Sequence, residues 1–208
     1  MSLNLTISIL ATSILFTIFK FFEKYKVVSL NAIVINYFVA SLFAFLLPEE
    51  TKPIIYAINQ PWFPLTILLG LLFVVLFQIM AFSSQTIDIS TTTIANKITF
   101  IFPTIMGILF FEEDWNYYKI VGFIVAFISI ILAAENKRKF PKIKTYLILL
   151  SLFFGGGILE SLLSYCQKFL IEPFDISLFF GYLFLFAFLF GLLLLVRKIK
   201  IGEKKPSK

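Results

Sequence analysis

The 208-residue chain has no histidine and a single cysteine, Cys166. Without histidine it can build no imidazole metal centre, haem ligand or imidazole acid/base pair, which removes a large part of enzymology. One cysteine permits no internal disulfide. Cys166 reads as a small packing residue rather than a nucleophile, since no histidine is present to activate it. Charge is scarce: 14% of residues are Asp, Glu, Lys or Arg, against about 25% in ordinary soluble domains. The 8 prolines and 9 glycines are too few and too scattered for a disordered or collagen-like chain. No glycine-rich nucleotide loop and no paired-carboxylate module stands in the short polar connections, so no enzyme and no cofactor is expected. Rings of charge that would line a channel are not evident either.

What the chain has in abundance is hydrocarbon. Sixty per cent of the residues are hydrophobic, 28 of them phenylalanine, and the mean hydropathy is +0.96. A helix needs about 20 apolar residues to cross about 30 Å of bilayer. Seven stretches approach that length, at 3–22, 28–47, 62–84, 91–111, 117–134, 146–170 and 177–196. The runs are about twice the length of a barrel strand and do not alternate with polar residues. The expected fold class is therefore all-α, a polytopic transmembrane helix bundle of about seven spans, with the lipid bilayer as its solvent. The first stretch lacks a basic n-region and a small-residue cleavage pattern, and reads as a retained helix rather than a signal peptide.

The formal net charge of +6 does not require nucleic acid as a partner, because its distribution is a topology signal. Lys20, Lys24, Lys26, the segment ENKRKFPKIK and the tail lie on one side of the bundle. Only Lys52, Lys119 and Lys168 lie on the other. The positive-inside rule then predicts a cytoplasmic C-terminal tail and an external N-terminus. The segment ENKRKFPKIK is also the strongest polar interruption, dividing five spans from two. A complete seven-span bundle, as in receptors, is the other reading of the same count.

Lys97 lies some six residues into the run at 91–111. An ammonium in hydrocarbon costs several kcal/mol even on lenient scales, so Lys97 either points into the bundle or snorkels toward headgroups. Thr92, Asn96, Pro103 and Gly107 share one broad face of that span, with Thr93, Lys97 and Thr104 on an adjoining stripe. Pro103 removes a backbone hydrogen bond and can kink the helix, exposing a carbonyl near Thr99. Such a helix either lines a path, or uses Asn96 and the threonines to hold helices together with Gly107 at a close approach. Glu160, near the middle of the sixth run and just after Gly155, Gly156 and Gly157, is the natural counterpart. Its carboxyl is either protonated or ionised beside Lys97. Gln78 marks a polar-tolerant face of the third span and Asn36 lies inside the second; each is either interhelical glue or a ligand group.

Several of these features resemble the drug/metabolite transporter superfamily, specifically permeases with EamA-like domains. The resemblance is carried by PWFPLTILLGLLFVVLFQIMAFSSQTIDISTTTIANKITFIFPTIMGILFFEEDWNYYKIVGFIVAFISIILA. It has a small-residue helix at Ala81, Phe82, Ser83 and Ser84, then Pro103 ahead of the acidic Glu112 or Glu113, then Gly122 entering the next helix. The resemblance implies one complete five-helix repeat at 1–134, a basic linker at 135–145, two helices of a second inverted repeat at 146–196 and a basic tail at 197–208. It also implies a secondary transporter of a small metabolite or amphipathic compound, working by alternating access in the cell inner membrane. A central cavity would draw on Asn36, Gln78, Asn96, Lys97 and Glu160. Ten-span relatives have three more helices, which leaves a truncated and nonfunctional permease, a membrane scaffold, a homodimer or assembly with a complementary transmembrane fragment as the alternatives. Both termini are generally cytoplasmic in those relatives, against the lysine count here.

Overall fold

A computed structural model describes residues 2–46, 54–87, 89–110, 117–118, 120–122, 124–125, 128 and 142–200. Among these the regular structure is helical: α1 (Ser2–Lys24), α2 (Ser29–Leu46), α3 (Ile54–Ile58), α4 (Phe63–Thr86), α5 (Ile89–Lys97), α6 (Ile101–Phe110), α7 (Lys142–Phe169) and α8 (Ile176–Lys200). Two 3-10 turns, Ile98–Phe100 and Pro173–Asp175, stand before α6 and α8. Among the described residues four segments are long and apolar enough to cross a bilayer: Ser29–Leu46, Phe63–Thr86, Ile143–Phe169 and Pro173–Lys198. The protein is thus an all-α, multi-span membrane helix bundle. Most of the stretch at 117–134, the acidic Glu112 and Glu113, the core of the basic linker and the tail beyond Lys200 lie outside the described residues.

Local chemistry sets the helix ends. Lys26 takes a left-handed φ of 54°, and the Val27 N–H reaches back to the Phe22 carbonyl at 2.9 Å. That is a Schellman closure of α1, with lysine in the position glycine usually holds. At the end of α7 the Ile171 N–H bonds the Cys166 carbonyl in the same six-residue pattern. Glu172 then extends, and Pro173 opens the 3-10 turn that leads into α8. Apolar side chains such as Ile35, Phe43, Leu46 and Leu193 are exposed on the helix surfaces, as lipid-facing residues are, and they are the faces through which the protein contacts the bilayer.

The chain forms two compact units: a first made of Met1–Ser29 and Gln78–Ser161, a second of Leu30–Phe77 and Leu162–Lys208. The second unit is packed with rings. Tyr37 stacks on Phe184 at 6.0 Å and meets Phe77 edge-on at 5.6 Å. Trp62, fully buried, packs edge-on against Phe179 at 5.8 Å. Phe63 meets Tyr182 and Phe186 edge-on at 5.3 and 5.8 Å. Gly70 allows this density: a Cβ there would lie 2.8 Å from the Ala187 nitrogen and 3.0 Å from the Leu183 carbonyl, so α4 and α8 touch backbone to backbone. Ser41 donates to the Gly181 carbonyl at 3.0 Å, and Tyr56 donates to Asp175 Oδ2 at 2.8 Å. Where helices pack in lipid, close dispersion contact and a few interhelical hydrogen bonds are what hold them.

Candidate functional site

The first unit is built on hydroxyls, amides and a broken helix. Pro103 has no N–H to give the Thr99 carbonyl, so an α-helix cannot run unbroken through this point. The chain instead takes the 3-10 turn Ile98–Phe100 and restarts as α6 at Ile101, which puts Pro103 in a first turn, where its missing donor is tolerated. Against this turn lies α7. A Cβ on Gly156 would come within 2.7 Å of Thr99 Cγ2, and one on Gly157 would overlap the Phe102 ring. The two glycines therefore let α7 approach the break. The Phe102 ring settles between Phe153 at 5.1 Å and Phe154 at 5.9 Å.

Glu160 is one helical turn beyond Gly156 and so shares its face. The Thr99 hydroxyl meets its Oε1 at 2.8 Å. The same hydroxyl lies within hydrogen-bonding distance of the Asn96 backbone carbonyl. Among the described residues, Glu160 Oε2 is buried without a hydrogen-bond partner, and so is the hydroxyl of the adjacent Ser161. Lys97 is within electrostatic reach of Glu160, but its side chain is exposed and makes no hydrogen bond to Oε2. Asn96 is half-buried beside it.

Elsewhere in the unit the polar groups divide into tied and untied. Gln85 Nε2 donates to the Phe19 carbonyl at 3.1 Å and to Ser29 Oγ at 2.9 Å, fastening the end of α4 to α1 and to the start of α2. Ser83 and Thr92 share a hydroxyl contact of 2.7 Å between α4 and α5. Gln78 Nε2 is buried without a partner among the described residues. That residue lines an open cavity of about 450 Å³ together with Ile79, Phe82, Leu147, Ile148 and Ser151. Gly107 is buried in α6, whereas Gly122 faces open space.

Of the residues singled out from sequence, Gln78, Asn96, Lys97 and Glu160 all fall in the first unit, and Asn36 is exposed on the second. Thr99 enters as a side chain that sequence reasoning had used only for its carbonyl. The signal that marks it is its position four residues before Pro103 in a span with an opposing glycine pair. Ser161 and Thr145, both buried hydroxyls without partners, were not anticipated at all. A serine or threonine in an apolar run usually returns its proton to its own helix, as Ser84 does to Met80 and Thr93 to Ile89.

No family model matches this chain, and no solved structure does. It is similar, at 27% identity over 172 residues, to an uncharacterized protein of Haemophilus influenzae strain Rd, an alignment that covers 79% of this chain and 59% of that protein. The chain thus spans less than two thirds of the length of that relative. The described helices make a polytopic all-α membrane bundle, and the similarity to an uncharacterized protein assigns it no role.

Proposed function

We propose that this protein is a secondary transporter, a permease of the EamA-like drug/metabolite transporter kind, that moves a small metabolite or amphipathic compound across the cell inner membrane by alternating access. The reading takes the chain as seven spans, one five-helix repeat and part of a second, with its basic tail in the cytoplasm and no catalytic chemistry. The observation that carries it is the Thr99–Glu160 contact against a broken helix in the first unit. An acidic group inside a membrane span is costly and is retained chiefly where ions or substrates pass. Broken helices supply the unpaired backbone groups that transporter sites use. The half-buried Asn96 and Gln78 add ligand-type amides to the same unit, and Lys97 supplies the opposite charge.

The test is uptake into proteoliposomes holding the full chain, with a radiolabelled amino-acid mixture and ethidium as an amphipathic probe. Gradient-dependent flux in wild type, reduced in Lys97→Ala and Glu160→Ala at equal insertion, is the expected outcome. Correctly inserted wild-type protein that moves no probe under any imposed gradient, alone or with a complementary transmembrane fragment, would leave a nonenzymatic scaffold or a nonfunctional permease as the better reading. Single cysteines at Ser2 and Lys204 should label from outside and inside respectively in intact cells.

A further inference from the structure

The hydrogen atoms around Thr99 do not add up if Glu160 is ionised. A threonine hydroxyl has one proton to give and two lone pairs. Here it faces the Asn96 backbone carbonyl, which can only accept, and Glu160 Oε1 at 2.8 Å. A carboxylate anion can also only accept, so two acceptors would compete for one proton and one close oxygen pair would be left without a hydrogen between them. A proton on Glu160 Oε1 closes the inventory: the carboxylic acid donates to Thr99, and Thr99 donates to Asn96.

The other oxygen points the same way. Glu160 Oε2 is buried without a hydrogen-bond partner among the described residues. In the anion it would carry half the charge with no hydrogen bond from the described residues, a cost larger than that of a neutral group. In the acid it is an ordinary carbonyl oxygen, the kind of buried group that most readily goes unpaired. Among the described residues, Lys97, reaching from the end of α5, is the charged group that acts on the carboxyl, and Thr99, from the 3-10 turn, is the hydroxyl that does.

We infer that Glu160 is a proton-binding site, its carboxyl holding a proton on Oε1 that is donated to Thr99, and that release of this proton to water is the coupling step of transport. The second half rests on the permease reading; the first does not. On release, the carboxylate competes with the Asn96 carbonyl for the Thr99 proton and is drawn toward the Lys97 ammonium. Either movement alters the contact that closes the turn between α5 and α6, so proton occupancy sets the shape of the broken helix.

Infrared spectroscopy of the full chain in liposomes tests the site without any substrate. At neutral pH in sodium-free buffer, wild type should show a protonated-carboxyl C=O band that is missing in Glu160→Gln and moved in frequency in Thr99→Val, where the acid has lost its acceptor. Absence of a band attributable to Glu160, or its removal by added sodium at constant pH, overturns the proton site; the sodium result would make it a cation site. Should Glu160→Gln fail to fold, an unmoved band in Thr99→Val overturns it equally. A pH gradient should drive uptake of the probes above in wild type, and Glu160→Gln should lose that drive. Flux without the band removes the proton site and leaves the permease standing. The band without flux under any gradient does the reverse.

Discussion

The two units of this protein solve the problem of packing helices in lipid by different means. In the second, aromatic rings around Tyr37, Trp62 and Phe179 fill the interior, and Gly70 lets two helices meet backbone to backbone. Hydroxyls there serve the packing: Ser41 and Tyr56 each reach a partner across the unit. In the first, Gln78, Thr145, Glu160 and Ser161 hold buried polar atoms without partners among the described residues, and the helix is interrupted between α5 and α6. Among the described residues the second unit has one such atom, Trp62 Nε1, on a fully buried ring. Unpaired buried polar groups cost stability. A region that keeps several of them beside a break is one where stability is not the property being served, whereas a dense aromatic interior serves packing.

The largest effect that would test this division is on Trp62. Truncation to alanine should lower the stability of the full chain by about 3–5 kcal/mol, as removal of a large buried aromatic does, measured by denaturant or thermal unfolding in detergent micelles. Glu160→Gln should change stability by less than about 1 kcal/mol in the same assay, since it removes neither a well-packed volume nor a fully satisfied network. If the glutamine variant were as destabilised as the tryptophan variant, Glu160 would belong to the supporting structure and the contrast between the units would fail.

Next in size is Gly70. Valine there would drive a side chain into the Ala187 nitrogen and the Leu183 carbonyl, both backbone atoms that cannot rotate away, and overpacking of this kind costs about 1–3 kcal/mol. The matching change in the first unit, Gly156→Ala, meets the Thr99 methyl at 2.7 Å. It should cost stability too, and it should also displace the Thr99 hydroxyl from Glu160 and alter the infrared signature of that carboxyl. A Gly70 variant should leave that signature unchanged.

How much of this the sequence discloses depends on whether the determining information is local. The membrane-embedded helices are legible because twenty apolar residues state their own environment, and the polar interest of the 91–111 span is legible because asparagine, lysine and proline are conspicuous there. Glu160 stands out for the same reason. What does not stand out is pairing. Lys97 invites an ion pair with Glu160 on charge alone, yet the residue that reaches the carboxyl is Thr99, brought there by Gly156 and Gly157 from more than fifty positions away. Contacts of that kind depend on which face of one helix meets which face of another, and a single apolar run carries little periodicity to say so. Asn36 shows the same limit in the other direction: an amide in a span reads as glue or as a ligand group alike, and only the structure places its side chain exposed on the unit that holds the aromatic interior.

A smaller effect sharpens the contrast from the stable side. Ser41→Ala removes the hydrogen bond to the Gly181 carbonyl and should cost about 0.5–1.5 kcal/mol, the usual net value of such a bond. It should leave flux unchanged at equal insertion, because nothing in the second unit's packed interior is proposed to carry substrate.

The smallest effect expected on stability is the most discriminating. Gln78 buries an amide nitrogen with no acceptor while its side chain lines the open cavity between the end of α4 and the start of α7. Replacing it with leucine keeps a comparable volume and removes the unsatisfied donor. If the first unit were built for stability, the amide would be there for a contact, and its loss would cost what Ser41→Ala costs. If the amide is kept for a ligand, Gln78→Leu should be neutral or more stable by up to about 1 kcal/mol, and probe flux should fall. The two measurements are independent. A variant that loses stability and keeps its flux would make Gln78 helix glue; one that holds stability and loses flux would place it on the path.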